Sequence, residues 1–311
     1  MKELDWEYID ALVPRRAAES SKNDYGRILC VCGSAGYTGA AFFAAQGAVR
    51  MGSGVVTLAV PERAWPVLAV KLSEPVVRPL PCTEDGLFSV RALPRLLELA
   101  EHADALLIGC GLGRSDEVTE VVCTLLREAA CPIVLDADGI FALAQHKDIL
   151  RRTARPLVMT PHYRELSRLV AGDEVNDLGT AIAAAQKVVW AAGSDNLVVI
   201  AKGPTTAICG VERVLLPLSG PASLATAGSG DVLAGILAGT LATMRDEMDR
   251  WELLYSYAVA LHSYAGFAAA TEYGEKSVIA TDLIDLIGPA MELAAKDALD
   301  DLGIMDEGSD D

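Results

Sequence analysis

The sequence has little positive charge. Its 26 lysines and arginines face 43 aspartates and glutamates, which leaves a formal net charge of −17 over 311 residues. Basic surfaces hold nucleic acids and anionic membranes, so neither is expected as a partner of this chain. A small phosphate-bearing ligand remains compatible with the charge, because a local nest of backbone N–H groups can bind phosphate on an acidic protein.

The sequence also shows no CxxC pair, no signal-peptide pattern and no long apolar run. The seven cysteines are scattered without a CxxC pair, and Cys30 and Cys32 fall inside the apolar run "RILCVCG", which favours buried strand thiols. The first residues, "MKELDWEYID", lack the apolar stretch of a signal peptide. No apolar run reaches the roughly 18 residues of a membrane helix. We therefore expect a cytoplasmic protein with reduced cysteines and no membrane partner.

Hydrophobic residues are abundant, at 51% of the chain, which is enough for a sizeable core. Short runs that are apolar throughout alternate with longer segments of helical periodicity. Such runs are typical of strands buried on both faces, so the pattern predicts an α/β/α sandwich around a mostly parallel sheet. The predicted strands are 27–33, 54–60, 103–109, 132–138, 155–160 and 197–203, and the predicted helices are 38–51, 89–101, 115–130, 139–150, 163–170 and 177–192.

The last third of the chain has a different organisation. Residues 205–218 favour a hairpin that turns at Gly210, and three consecutive helices are expected after it. The acidic tail, 296–311, is expected to fray. Because no linker or internal repeat divides the sequence, we predict one domain over 1–311, with its core at about 24–290.

Five motifs follow predicted strands, at the edge where open parallel sheets bind ligands. None matches a Walker A loop, and Arg114 stands where a dinucleotide fingerprint needs its last glycine. Each motif also has a purely structural interpretation, as a tight turn, a helix cap or a solvated lysine. The five are "GSAGYTGAA" (33–41), "GCGLGRSDE" (109–117), "LDADGI" (135–140), "MTPHYREL" (159–166) and "IAKGPTT" (200–206).

Two of these motifs carry paired polar residues. Asp136 and Asp138 could orient water, a cation or a lysine, although Asp138 could equally cap a helix. Pro161 is expected in a first helical turn, which would place His162 and Glu165 on one face three residues apart. A capping role for either residue is the alternative.

A sixth stretch, "LATAGSGDVLAG" (224–235), combines glycines with one carboxylate at the start of an apolar helix. Gly228, Ser229 and Gly230 are expected to offer successive free amides that bind a phosphoryl group. Asp231 could then accept the proton of an attacking hydroxyl, as phosphoryl transfer to an alcohol requires. A simple first-turn carboxylate is the alternative. Gly235 and Gly239 are expected to form a helix face that permits close packing, which offsets the cost of a helical glycine, ~1 kcal/mol relative to alanine.

These blocks, in this order, resemble the ADP-dependent NAD(P)H-hydrate dehydratases of the ribokinase-like superfamily over about residues 24–290. The resemblance implies that hydrated NADH or NADPH, the S epimer at C6, is dehydrated while ADP becomes AMP and phosphate. The hydrate hydroxyl would attack the terminal phosphoryl group, and the ring nitrogen would then expel phosphate. The resemblance also implies Mg²⁺, a homotetramer and a separate NAD(P)HX epimerase, since no epimerase domain is expected in this sequence.

The resemblance assigns roles position by position. Asp231 would be the base, Gly228, Ser229 and Gly230 the anion hole, and Glu165 a neighbour of the magnesium waters. Tyr163 and Arg164 depart from the family's proline-glycine, which affects the placement of His162. The hydrate would contact Ala40, Gly113, His162 and Asp231, and the nucleotide would contact Lys202, Gly203, Pro204, Thr205, Thr206 and Gly230.

Two other functions are compatible with the same residues. A ribokinase-like kinase of a pyrimidine or thiazole alcohol would need the same fold, hole and base, but would release a stable phosphate ester. A catalytically inactive nucleotide sensor would keep the cradle, although such a protein has no need of Asp231. The blocks at 33–41 and 109–113 favour the dehydratase.

Overall fold

A nine-stranded sheet forms the centre of the protein. The structure is a computed structural model, and it describes residues 16–152, 154–245 and 250–301. Strands β1 to β7 run parallel, while β8 and β9 pair antiparallel at one edge in the order β3-β2-β1-β4-β5-β6-β7-β8-β9. The strands are β1 Arg27–Val31, β2 Val55–Pro61, β3 Val76–Leu80, β4 Ala105–Ile108, β5 Ile133–Leu135, β6 Leu157–Met159, β7 Leu197–Ala201, β8 Ala207–Cys209 and β9 Val214–Leu215.

Helices cover both faces of this sheet, which confirms the predicted three layers. One face buries the helices of the first block and the last third of the chain, and the other buries the helices in between. The helices are α1 Thr38–Arg50, α2 Trp65–Lys71, α3 Leu93–Ala100, α4 Asp116–Glu128, α5 Ala137–Leu143, α6 Tyr163–Leu169, α7 Leu178–Ala192, α8 Ser229–Thr243, α9 Trp251–Tyr273 and α10 Ala280–Asp301.

The central strands are buried on both faces, as their uniform apolarity predicts. All four residues of β4 are shielded from solvent, and so are all five of β7. Cys30 and Cys32, predicted to be buried strand thiols, have no exposed surface and form no disulfide, although Cys32 lies one residue past the end of β1. Among the described residues, no helix is both long and apolar enough to cross a membrane.

Helices α1 and α8 approach each other closely through glycine, which confirms the packing role expected for Gly235. A Cβ on Gly235 would lie only 3.0 Å from the backbone nitrogen of Ala48 and the Cα of Gly47, and it would overlap the carbonyl oxygen of Ala44. A Cβ on Gly47 would in turn lie 2.8 Å from the carbonyl oxygen of Val232. This contact fixes the beginning of α8 against α1.

Two elements do not follow from the sequence pattern. Strand β3 and helix α2 lie in a stretch for which no element is predicted. β3 is an edge strand with exposed residues and Pro79, so it lacks the uniform apolarity that identifies a buried strand. Helix α2 contains only seven residues, too few for a clear periodicity.

Two further elements differ from prediction, and the predicted hairpin is confirmed. The helix expected over 139–150 begins at Ala137 and ends at Leu143, and a 3₁₀ turn, Lys147–Arg152, follows it. The hairpin turns at Gly210 as predicted, where the Gly210 amide donates to the carbonyl of Arg213 at 2.9 Å. Of the acidic tail, 296–301 continues α10, contrary to the expected fraying, and 302–311 lies outside the described residues.

Candidate active site

The predicted motifs meet at the carboxyl ends of the parallel strands. The loop after β1 is tied to the loop after β4 where the Gly33 amide donates to the carbonyl of Cys110 at 2.8 Å. The loops after β6 and β7 are joined in the same way, since the Lys202 amide donates to the carbonyl of Pro161 at 2.9 Å. The first turn of α8 reaches this edge as well, because a Cβ on Gly230 would lie 3.2 Å from Nζ of Lys202.

An ion pair between Asp136 and Lys202 lies at the centre of this edge. Nζ of Lys202 donates to Oδ1 of Asp136 at 2.7 Å, and the Thr160 hydroxyl donates to the same oxygen at 2.6 Å. Burial acts to lower the pKa of Lys202, but the nearby carboxylates of Asp136 and Glu165 outweigh it and raise this pKa above its ordinary value. Asp136 therefore holds a lysine, one of the roles that the sequence left open.

Asp231 extends this cluster toward α8. Oxygens of Asp231 and Asp136 and the sulfur of Cys110 all lie within 4.8 Å of one another. Burial and the neighbouring charge of Asp136 raise the pKa of Asp231 to about 6, against the smaller opposing effects of Cys110 and Lys202. A carboxylate with this pKa is ionised at neutral pH and is still basic enough to accept a proton.

The first turn of α8 offers backbone amides, but not all three that the sequence predicts. Gly228 has φ 91°, a conformation that favours glycine, and a Cβ there would lie 2.5 Å from the Phe43 ring. Within the described part of the chain, the amides of Gly228, Gly230 and Asp231 have no acceptor. The amide of Ser229 donates to the carbonyl of Thr226 at 3.3 Å, so the expectation that it is free is wrong.

His162 and Glu165 form a capping box at the start of α6. The Glu165 amide donates to Nδ1 of His162 at 3.3 Å, and the His162 amide donates to Oε2 of Glu165 at 2.9 Å. Pro161 therefore precedes the cap and is outside the first turn where it was expected. Burial raises the pKa of Glu165 to about 7, and burial with the charge of Lys202 lowers the pKa of His162.

Of the residues predicted to contact the hydrate, Ala40 lies in the first turn of α1 and Gly113 in the loop after β4. Ala40 packs against the loop after β4, where a Cβ on Gly111 would lie 2.8 Å from the Ala40 Cβ. The amide of Gly113 donates to Oδ2 of Asp138 at 3.0 Å, and Nε of Arg114 donates to Oδ1 at 2.9 Å. Asp138 thus fixes this loop and does not cap α5, whose cap residue is Asp136.

The predicted nucleotide loop follows β7 directly. Gly203 lies under the ring of Tyr163, since a Cβ there would lie 2.6 Å from Cζ of that ring. The tyrosine that replaces the family's proline therefore covers the loop from one side. Pro204 is exposed, and Thr205 and Thr206 are partly buried before β8 begins.

Sequence reasoning did not identify two residues of this region as functional. Cys110 lies against both carboxylates, with its thiol donating to Oδ2 of Asp136 at 3.8 Å. His262, on α9, contacts the first turn of α8 through Nε2, which lies 3.0 Å from the Ser229 carbonyl oxygen. A lone histidine in the apolar stretch "VALHSYAG" was the available signal for the second residue.

The arrangement combines a helix N-terminus with free amides, a partly buried lysine and a carboxylate of raised pKa. Free amides at a helix N-terminus stabilise a phosphoryl group, and an adjacent base accepts the proton of the attacking hydroxyl. With the α/β/α sandwich, these features are typical of proteins with the ribokinase-like fold. The phosphofructokinase-2 of Escherichia coli shares this fold alone, with a TM-score of 0.54 and 16% identity over 80% of this chain and 86% of that one.

Comparison with protein families identifies the group more narrowly. The family model described as NAD(P)H-hydrate dehydratase matches residues 28–289. The chain therefore belongs to the NAD(P)H-hydrate dehydratase family.

Individual relatives agree with this family. The bifunctional NAD(P)H-hydrate repair enzyme Nnr of Moorella thermoacetica is 39% identical over 278 residues, which are 88% of this chain and 51% of that protein. The enzyme of the same name from Salinibacter ruber is also 39% identical, over 88% of this chain and 49% of that protein. The chain thus spans about half the length of these relatives.

A solved structure covers nearly the whole length of both chains. It is described as the ADP/ATP-dependent NAD(P)H-hydrate dehydratase from Bacillus subtilis, co-crystallised with ATP and Mg²⁺. It aligns with a TM-score of 0.75 and 28% identity, over 93% of this chain and 97% of that one.

Proposed function

We propose that this protein repairs hydrated NADH and NADPH by nucleotide-dependent dehydration. The observation that carries the proposal is the position of Asp231, next to the free amides at the start of α8 and 4.8 Å or less from the Asp136 carboxylate that binds Lys202. The family membership supplies the substrate class, and the Bacillus subtilis relative supports ADP or ATP as the phosphoryl donor.

In the proposed reaction, Asp231 accepts the proton of the C6 hydroxyl while that oxygen attacks the terminal phosphorus of the nucleotide. The bond between this phosphorus and the bridging oxygen breaks, so ADP leaves as AMP. The amides of Gly228, Gly230 and Asp231 stabilise the charge on the transferred group. Lys202, directly after β7, supplies a positive charge, since its Nζ lies close to Gly230.

The phosphorylated hydrate then loses phosphate. The lone pair of the ring nitrogen forms a double bond to C6 as the C6–O bond breaks, and loss of a proton from C5 restores the dihydropyridine. Ala40 at the start of α1, Gly113 in the loop after β4 and the side chain of His162 are proposed to hold the hydrate. The nucleotide is proposed to lie along Lys202, Gly203, Pro204, Thr205 and Thr206.

Magnesium would neutralise the phosphates of the bound nucleotide. Oxygen ligands suit this ion, and Mg²⁺ usually keeps several waters next to one or two carboxylates. Glu165 fits an outer contact of this kind, because the hydrogen bond from the His162 amide and the 3.4 Å contact with Nε2 of His162 leave lone pairs on its carboxylate oxygens. The thiol of Cys110 makes the cluster around Asp231 unsuited to a hard cation.

A kinase of a small alcohol is the competing function, and its products distinguish it. With nucleotide and hydrated NADH, the dehydratase is expected to yield NADH, free phosphate and, from ADP, AMP. A phosphate ester that accumulates without NADH would contradict our proposal. The homotetramer, the cytoplasmic location and the separate epimerase partner are further proposals that rest on the family resemblance.

A further inference from the structure

His262 is buried beneath the anion-binding turn and has no part in the mechanism above. It lies on α9, and its Nε2 is 3.0 Å from the carbonyl oxygen of Ser229 and 3.2 Å from the Ser229 hydroxyl oxygen. Only 7% of the histidine surface is exposed. Both contacts are to the first residue of α8, so this side chain connects two helices at the point where the phosphoryl group would bind.

The contact with the carbonyl fixes the position of the ring proton. A carbonyl oxygen can only accept a hydrogen bond, so Nε2 must carry hydrogen to approach it at 3.0 Å. Burial lowers the pKa of His262 to about 4, so the ring is neutral at physiological pH and Nδ1 carries no proton. The geometry therefore selects the Nε2–H tautomer.

This tautomer determines what the Ser229 hydroxyl can do. Because the single hydrogen on Nε2 is directed at the Ser229 carbonyl and hydroxyl oxygens, the hydroxyl cannot donate to Nε2 and keeps its own hydrogen for another partner. Among the described residues, no other group is bonded to this hydroxyl. The Ser229 amide is already used by the carbonyl of Thr226. The hydroxyl is therefore the group of Ser229 that remains available to donate to a ligand.

We propose that His262 is a positioning residue that holds the Ser229 hydroxyl as a donor to the transferred phosphoryl group. The inference rests on the proposed function, because it requires a phosphoryl group at the start of α8. It also changes the expected role of Ser229, whose side chain replaces its amide in the anion hole. Gly230 and Asp231 would supply the neighbouring backbone donors.

The tautomer can be measured without any substrate. The chain has four histidines, so nitrogen NMR of protein labelled with ¹⁵N-histidine gives few signals. The signals of His262 are assigned by their loss in His262→Gln, and His102→Gln, a change at an exposed histidine, is the matched control. We expect a neutral ring with hydrogen on Nε2 at pH 7. A ring with hydrogen on Nδ1 would overturn the proposal whatever reaction the protein catalyses.

Kinetics test the donor itself. Ser229→Ala is expected to lower kcat and kcat/KM alike by about 10²-fold, since the bond strengthens in the transition state. Ser229→Thr restores a hydroxyl and is expected to recover most of this loss. His262→Gln keeps an N–H donor, whereas His262→Met has none. We therefore expect a higher kcat for His262→Gln than for His262→Met, with the same nucleotide affinity in both variants.

The two hypotheses fail in different ways. If the wild-type protein does not turn over hydrated dinucleotide, the proposed function fails while the NMR result still decides the tautomer. If the wild type is active and Ser229→Ala has the same kcat, the role of the hydroxyl is refuted and the function stands.

Discussion

The pH dependence of turnover should report the pKa of Asp231. The proposed base acts when ionised, so kcat/KM is expected to rise with pH through about 6, the pKa that burial and the charge of Asp136 produce. At pH 5, one unit below this pKa, about one carboxylate in eleven is ionised, which predicts a roughly tenfold lower kcat/KM than the plateau.

Two variants should move this midpoint in opposite directions. Asp136→Asn removes a negative neighbour of Asp231, so its pKa falls and the midpoint moves to lower pH. Lys202→Gln removes a positive neighbour, so the pKa rises and the midpoint moves to higher pH. His102→Gln, at an exposed position, should leave the midpoint in place.

The assay is the initial rate of NADH recovery between pH 5 and 8, at saturating nucleotide and low hydrate concentration. Melting temperatures of each variant over the same pH range separate unfolding from titration. A midpoint that neither Asp136→Asn nor Lys202→Gln displaces would refute the assignment of Asp231 as the titrating base.

Three further predictions follow from the same contacts. Asp231→Asn should bind nucleotide normally in calorimetry, but its turnover should fall by at least ~10²-fold. Turnover close to that of the wild type would show that Asp231 is not the base. Gly235→Ala should lower the melting temperature, because the added methyl group clashes with α1. Gly288→Ala is the control and should raise the melting temperature slightly, because the space around Gly288 is open. Equal shifts of the melting temperature in the two variants would contradict the packing argument. Burial raises the pKa of Glu165 from 4.5 to about 7, so the folded protein holds this proton more tightly than the unfolded chain does. The free energy of unfolding therefore falls as pH rises from 4.5 to 7. Glu165→Gln should therefore raise the free energy of unfolding at pH 8 more than at pH 5, and the reverse order in denaturant titrations would disprove this.

The sequence predicts the parallel core well, because strands such as β4 and β7 are apolar throughout. The edge strand β3 escapes prediction since it is exposed and contains Pro79. The glycine-rich start of α8 and the carboxylate of Asp231 are recognisable because their chemistry is local in sequence.

Contacts between distant segments are harder to anticipate. The pairing of Asp136 with Lys202 joins positions 66 residues apart, and only the sheet order brings them together. The contact of His262 with Ser229 depends on how α9 packs against α8, which periodicity does not specify. For the same reason, the loss of the Ser229 amide to Thr226 could not be foreseen from the run of small residues.

The most direct test of the central claim is a single reaction. Hydrated NADH is mixed with the protein, Mg²⁺ and either ADP or ATP, and absorbance of the reduced nicotinamide is followed together with release of phosphate. We predict recovery of NADH that requires nucleotide and is matched by phosphate in a one-to-one ratio. No recovery with either nucleotide, from protein that binds them, would contradict the proposed repair of NAD(P)H hydrates.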